Sequence, residues 1–482
     1  MSPSHQITKL RSLKDHRVSL YWYLFALLVL ALGLFSIVYS WPIFLLILLT
    51  ILAIVLAWRH LPGMLIILPA LIPFLPALNP TADIDLASSR LAIVFLVGIG
   101  YLYIVYTKKP WFSLSTPTIL ILFFLAWSLF SGVMADDPGR FIRKYLVFLT
   151  IFPIYFLMVA FLRYREQWLK LFKYWSWSAF FVSLLGLGQF LAQFVIGRET
   201  LVDYWGKYVA PILFGANAGS AVASNPSWLV NISGATVLRS FGTFPDPHML
   251  AFFLGMSLPL QVAYAMEKKN KWLWFLPVVS FWVLLLTFSR GSYVGLAGVA
   301  VWMVVYLLKQ GKITGRTVYR AILGIILAVM LLFSIAPVRD RFTSIFDLSE
   351  GSNRGRLITW SDAIEVIKYN PVLGVGLGNY ANFVRPEAKY REPIYAHNAY
   401  LDVSSEIGIP GAIAWILLLL WAIKPLFSNR SGPRYNLAAA LGLLWFSSHS
   451  FFETPLFSPQ ILPLILVLIG YRVSSEQADF KT

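Results

Sequence analysis

The chain has 482 residues, of which 58% are hydrophobic and only 13% charged, a balance that excludes an ordinary water-soluble domain and points to a polytopic membrane protein. Its net charge of +17 does not indicate nucleic acid, because the Lys and Arg residues fall mostly in short clusters between apolar runs. Cysteine is absent, which excludes disulfides, thiolate metal sites and cysteine nucleophiles.

The basic, polar residues 1–19 precede an apolar run that lacks a small-residue cleavage site, so the first helix is expected to be retained. A helix needs roughly 20 apolar residues to cross the hydrocarbon core, and about fourteen runs approach that length. They lie near 20–38, 41–57, 61–78, 90–106, 117–134, 144–162, 172–196, 248–266, 272–289, 291–308, 318–336, 400–424, 434–450 and 455–472. The second and third are short, and the third carries Pro69, Pro73 and Pro76, so the expected count is about 12–14. Basic clusters at Lys9 to Arg17, Lys108 and Lys109, Arg163 to Lys173, Lys268 to Lys271, Lys309 to Arg320 and Lys424 to Arg434 share one side when the helices alternate. That side is cytoplasmic, with both termini inside.

One integrated membrane domain results. It comprises N-terminal transmembrane helices (1–197), a first external segment (198–247), central transmembrane helices (248–336), an external cap (337–399) and C-terminal transmembrane helices (400–482). Within the first external segment and its flank, 209–230 is mildly apolar and suits lying along the membrane surface. In the cap, RGRLITWSDAIEVIKYNP spaces Leu357, Trp360, Ile364 and Ile367 at helical intervals and stops at Asn370-Pro371, which predicts an amphipathic helix.

An ionisable group at the edge of a membrane is costly unless paired or wet, so each one is a candidate for function. Arg290, in LLLTFSRGSYVGL, stands at the outer end of a helical hairpin, where it suits either a helix cap with a snorkelling side chain or a contact to phosphate oxygens. Arg239, in VLRSFGTFPDPHMLAFFL, lies in a turn fixed by Gly242, Pro245 and Pro247, and can pair with Asp246 or hold an anion. His248 reads as a satisfied polar residue at a helix start. His397, one of six histidines, lies where the cap re-enters the membrane; it suits a strut between cap and bundle, or proton transfer near neutral pH. Two arginines and a histidine gathered at the outer surface suit glycosyl or phosphoryl transfer.

Gly374, Gly376 and Gly378 look like a phosphate-cradling loop, but no strand precedes them and no lysine follows. They read as a turn that lets backbone approach the membrane or a ligand. Glu406 and Glu453 lie near outer helix ends without a partner at metal-ligand spacing, so neither a metal nor another cofactor is expected.

Arg354-x-Arg356 with Trp360, then NPVLGVGLGNY and HNAYLDVSSEIGIPG, resembles the signature region of the O-antigen ligase and polymerase family of bacterial membrane glycosyltransferases. TFSRGSYVGL and RSFGTFPDPHMLA look like that family's other recurring segments, and together these cover residues 235–425. The resemblance implies an all-α, GT-C-like protein of the bacterial cytoplasmic membrane, with a partly helical external cap and its active site on the outer face. The implied donor is a glycan on undecaprenyl diphosphate, and the acceptor a hydroxyl on lipid A core, a second lipid-linked glycan or a protein. Arg290 and Arg239 would hold the donor diphosphate, and His397 would act on the acceptor hydroxyl as base or orienting group. Asn398, Arg354, Arg356 and Tyr400 are the further substrate contacts that the motifs imply. The leaving group is already a stabilised anion, so no metal is required. At Asp246 the chain departs from the family, which usually carries Asn there.

Ligase chemistry is favoured slightly by the His-Asn pair, with polymerisation of lipid-linked glycans as the alternative. A lipid-linked-oligosaccharide flippase, the reading from another class, fits the span count. It predicts related halves with polar residues near the midplane, whereas here they gather at the outer edge.

Overall fold

A computed structural model describes residues 41–81, 84–108, 114–215, 226–232, 234–309, 351–387, 394–427 and 434–476. The spans expected near 20–38 and 318–336, and residues 337–350 and 388–393 of the cap, lie outside these. The chain divides into two compact units, Met1–Leu61 and Pro62–Thr482.

In lipid a backbone amide or carbonyl must be bonded within its own segment, so the apolar runs fold as helices. The fold is all-α and polytopic. Its first half holds α1 (Trp41–Leu71), α2 (Ser88–Thr107), α3 (Thr116–Phe130), α4 (Pro138–Ile151), α5 (Pro153–Phe161) and α6 (Arg165–Ile196). After α7 (Arg198–Tyr204) and α8 (Ala210–Phe214) come α9 (Pro247–Lys268), α10 (Phe275–Leu286), α11 (Arg290–Lys309), α12 (Gly351–Tyr369), α13 (Tyr380–Val384), α14 (Ala399–Ile423), α15 (Arg434–His449) and α16 (Leu462–Glu476). Two short antiparallel hairpins supply the strands among the described residues: β1 (Ala77–Thr81) with β2 (Ile84–Ala87), and β3 (Leu229–Ile232) with β4 (Ala235–Leu238). Among the described residues seven helices are long and apolar enough to cross a membrane, and Lys271–Leu286 and Arg290–Val305 are shorter apolar helices.

Prolines account for the main departures from the expected spans. Runs 41–57 and 61–78 fall on α1, whose backbone leaves the helical region at His60 just before Pro62, which lacks the amide that would continue the hydrogen bonding. Pro153 likewise divides the run at 144–162 into α4 and α5.

Residues of the segment 198–247 pack on one another. Leu201, Ala210, Trp228, Leu238 and Phe241 are buried together, and the Trp228 ring stacks on Phe241 with centroids 4.0 Å apart. In the cap, the expected amphipathic helix is α12, but it is turned from the expected face. Ala363 and Val366 are buried with Val375, Tyr380 and Ala396, whereas Leu357 and Ile364 stay 47% and 44% exposed. Small Ala363 permits close approach, and Thr359 Oγ1 donates to Ala396 O at 3.3 Å; together they fix which side faces the bundle.

The glycine run beside α12 serves packing. Helix α14 is broken at Gly408 (φ 79°), so GIPG lies inside this helix, which begins at Ala399. Segment 371–378 seats in the break: Val375 N donates to Ser405 O at 2.9 Å, Ile409 N to Pro371 O at 2.8 Å, and Trp127 Nε1 to Ile407 O at 3.0 Å. A Cβ on Gly408 would overlap Val372 O, and one on Gly374 would overlap Ser405 O, so both positions need glycine. The backbone approached by this turn is that of α14 at Gly374, of Ala135 at Gly376 and of Arg140 in α4 at Gly378.

Helices α9 and α14 are the most enclosed of the seven, with 78% and 61% of their apolar windows buried against 28–39% for the others. Each starts next to a histidine of the cluster described below.

Candidate active site

The turn before α9 is held by its neighbours. Arg239 N donates to Trp228 O at 2.8 Å and Ser240 N to Leu286 O at 2.9 Å, while Gln189 Oε1 accepts from Phe241 N and Gly242 N. Asp246 caps α9, its Oδ1 accepting from His248 N at 2.8 Å and Met249 N at 3.0 Å, with Pro247 in the first helical position. Burial pushes the Asp246 carboxyl up to about 6; the nearby charge of Glu453 adds to this, against the two capping bonds and Arg239.

This cap places His248 in the first turn, with Nδ1 2.9 Å from Ser289 Oγ. Ser289 belongs to the tight turn between α10 and α11, where Phe288 takes a positive φ of 47°. Its hydroxyl also lies 3.2 Å from Nε2 of His449, whose ring stacks on Phe252 with centroids 3.9 Å apart. Arg239 Nε donates to Thr287 O at 2.7 Å, its Nη1 to Ser227 O at 2.8 Å, and its Nη2 lies 3.5 Å from His248 Nε2. Three nitrogens of this guanidinium thus face protein atoms that brace the two turns.

On the other side, Asn398 Oδ1 caps α14 by accepting from Tyr400 N at 3.0 Å and Leu401 N at 3.2 Å, and Ala399 N donates to Ser450 O at 2.8 Å. The residue before this cap, His397, holds a left-handed backbone (φ 52°), which swings its ring toward the segment after α15. There Nδ1 meets Glu453 Oε1 at 2.7 Å. Glu453 Oε2 lies 3.8 Å from His248 Nε2 and 4.0 Å from Arg356 Nη2, so one carboxylate joins the α9, α12 and α14 sides.

The Glu453 charge raises the His397 pKa; burial opposes it less, and the direct hydrogen bond adds to the rise. Burial alone would push Glu453 up, but His397, His248 and Arg356 outweigh it and hold this carboxyl well below the usual range. The His397 side chain is 42% exposed against 11% for Glu453, so the imidazole is the accessible member of the pair. With Nδ1 engaged by the carboxylate, Nε2 is the nitrogen left to meet an incoming hydroxyl. Among the described residues, no group of three His, Cys, Asp or Glu is arranged to hold a metal ion.

Residues 275–416, which include Arg290, Arg356 and His397, match the family model described as O-Antigen ligase. The match covers less than a third of the chain and supports the O-antigen ligase and polymerase family. No curated protein matches the chain. Members of that family are glycosyltransferase-like ligases and polymerases, which supports an enzyme of that general kind.

Of the residues singled out in the sequence, Arg239, Arg356 and His397 converge on the Glu453 cluster. Arg290 is buried, 3% exposed, beside Ser289 in the same turn. Asn398 serves as the α14 cap. Tyr400 donates its hydroxyl to Ser447 O at 2.8 Å, with its ring 4.6 Å from that of Phe451. Arg354 is exposed on α12.

Glu453, Ser289 and His449 were not anticipated as partners, and His248 was anticipated only as a helix-start residue. Glu453 is separated from His397 by 56 positions, and a search at metal-ligand spacing cannot find that pairing. The available signal was the shared outer side: SSHSFFETP ends one apolar run at the level where HNAY begins another.

Proposed function

We propose that this enzyme transfers a glycan from undecaprenyl diphosphate to an acceptor hydroxyl on the outer face of the cytoplasmic membrane, most simply as a ligase. The observation that carries the reading is the His397–Glu453 pair, an accessible imidazole oriented by a buried carboxylate. His397 Nε2 takes the acceptor proton as the hydroxyl oxygen attacks the anomeric carbon. The bond from that carbon to the diphosphate oxygen breaks, and its electron pair leaves with undecaprenyl diphosphate. Arg290 and Arg356 supply the charge that meets the departing diphosphate, a task that a divalent cation would otherwise perform. Arg239 contributes its charge and holds the two turns that present His248 and Arg290. Asn398 and Tyr400 set the His397 loop against α15, while exposed Arg354 is available to the glycan or to lipid headgroups.

The test is incubation of purified enzyme with a defined undecaprenyl-diphosphate glycan and candidate acceptors, with products identified by mass. Product on lipid A core identifies a ligase, and a laddered lipid-linked glycan identifies a polymerase. His397→Ala, Arg290→Ala and Arg239→Ala are each expected to lose product while the protein still inserts; normal product from all three would overturn the site assignment.

A further inference from the structure

Two backbones carry the His397–Glu453 pair, and one carboxylate holds both. Asp402, on the first turn of α14 and 1% exposed, accepts from Ala396 N at 2.8 Å through Oδ1, one residue before His397. Its Oδ2 accepts from the hydroxyl of Thr454, one residue after Glu453. Thr454 N in turn points at Glu453 Oε1 from 3.4 Å. Asn398, two residues after Ala396 in the same strap of chain, is spent on capping, and Ala399 N is taken by Ser450 O. The strap 396–399 is therefore tied at both ends, with the left-handed His397 between the ties.

We propose that Asp402 is a positioning residue for the transfer: by bonding Ala396 and Thr454 at once, it sets the separation and angle of the His397–Glu453 pair. The inference rests on the proposed role of His397 as the base. A histidine held off the preferred backbone region returns to it unless its neighbours are fixed, and here Asp402 fixes the preceding amide. A carboxylate that bonded only Ala396 would be a local turn device. One that also bonds Thr454 makes the pair a single braced unit, and misplacement of a reacting group by about 1 Å costs on the order of 100-fold in rate.

The charged and titratable groups that face the pair are Arg356 from α12, Asp246 and His248 at the start of α9, His449 at the end of α15 and Asp402 itself, so the test must separate geometry from charge. Thr454→Val removes one arm of the brace and leaves every one of those charges in place. Asp402→Asn removes the charge but keeps both arms, since its amide oxygen accepts from Ala396 N and its amide nitrogen donates to the Thr454 hydroxyl. Asp402→Ala removes both arms and the charge.

Two readouts are taken on full-length enzyme in lipid nanodiscs. One is the titration of His397 by histidine-selective NMR, tractable because the chain has six histidines, with the His397→Gln spectrum assigning the signal. The other is the pH profile of kcat in the transfer assay. Thr454→Val and Asp402→Ala are expected to move the His397 titration to lower pH and to reduce kcat roughly tenfold to a hundredfold. Thr454→Ser stays near the parent in both, and Asp402→Asn, which loses a charge that raises the His397 pKa, keeps kcat near the parent with a smaller downward move of the titration than Asp402→Ala.

A folded Thr454→Val protein with an unmoved His397 titration overturns the proposal, as does an Asp402→Asn protein that behaves like Asp402→Ala. If Asp402→Ala does not fold, the two threonine variants decide the matter alone. The NMR readout needs no substrate: a shifted titration in an enzyme that transfers no glycan sustains the brace and refutes the proposed function instead.

Discussion

Lys144 on α4 and Glu406 on α14 form an ion pair of 2.7 Å whose side chains are 19% and 3% exposed, and Glu406 Oε2 has no hydrogen-bond partner. The ammonium lies 3.8 Å from the centroid of the Phe457 ring and 5.0 Å from that of Tyr395. Replacing Lys144 with Met keeps most of the stem and removes the charge, leaving Glu406 ionised and alone in a nearly dry position. Breaking a buried pair from one side costs about 3–5 kcal/mol, and loss of the contact with the rings adds about 0.5–2 kcal/mol. Lys144→Met is therefore expected to destabilise by about 3.5–7 kcal/mol. Glu406→Gln should cost about as much, because it strands the lysine. The double variant should recover most of either loss, since an apolar or neutral pair of similar volume is often tolerated where an unpaired charge is not. Reversible unfolding in mixed micelles, run as a double-mutant cycle, measures the coupling directly. Additive losses, with the double variant as unstable as the two single variants summed, would refute the reasoning.

Glu453→Gln is expected to lower kcat and to move the acidic limb of the activity profile to lower pH. The base must be neutral to act, and Glu453 raises the His397 pKa, so removing the carboxylate lets the imidazole lose its proton at lower pH; an unmoved limb in steady-state kinetics argues against His397 as the base. The same pair should make stability depend on pH. The contribution from His397 is fully present below its unfolded pKa and is lost as pH rises through the raised folded value, and Glu453→Gln should flatten that dependence in melting curves taken from pH 6 to 9. Gly408→Ala should unfold the α14 break, because it combines a positive φ with overlap on Val372 O. A cost of more than about 2 kcal/mol is expected by the same unfolding measurement.

Hydrophobic runs made most of the helices legible, since a long apolar stretch has few alternatives in lipid, and the polar residues at their outer ends were legible as exceptions to that pattern. What periodicity could not settle was which face of α12 turns inward. Leu357 and Ile364 are the more apolar residues, but Ala363 is small enough to let the helix approach Ala396, and packing distance decided the face. The glycine run was readable as a site of close approach; its target was not, because the break in α14 that receives it depends on Trp127 and on segment 371–378 together. Within the site, His397, Arg239 and Arg290 stood out because each is a charged or titratable residue beside apolar sequence. Glu453 did not, since its importance comes from three partners on three other segments, and the backbone carbonyls that engage Arg239 carry no signature in the sequence.

The seat of segment 371–378 in the α14 break also determines how the cap can move. Separating segment 371–378 from α14 would strip the partners from Ser405 O and Ile409 N at the broken helix, leaving each an unbonded backbone group in or near hydrocarbon. Cap and helix are therefore one lever. A tilt of α12 is transmitted through Pro371 and Val375 to α14, so a displacement of segment 371–378 also displaces the helix that begins beside His397.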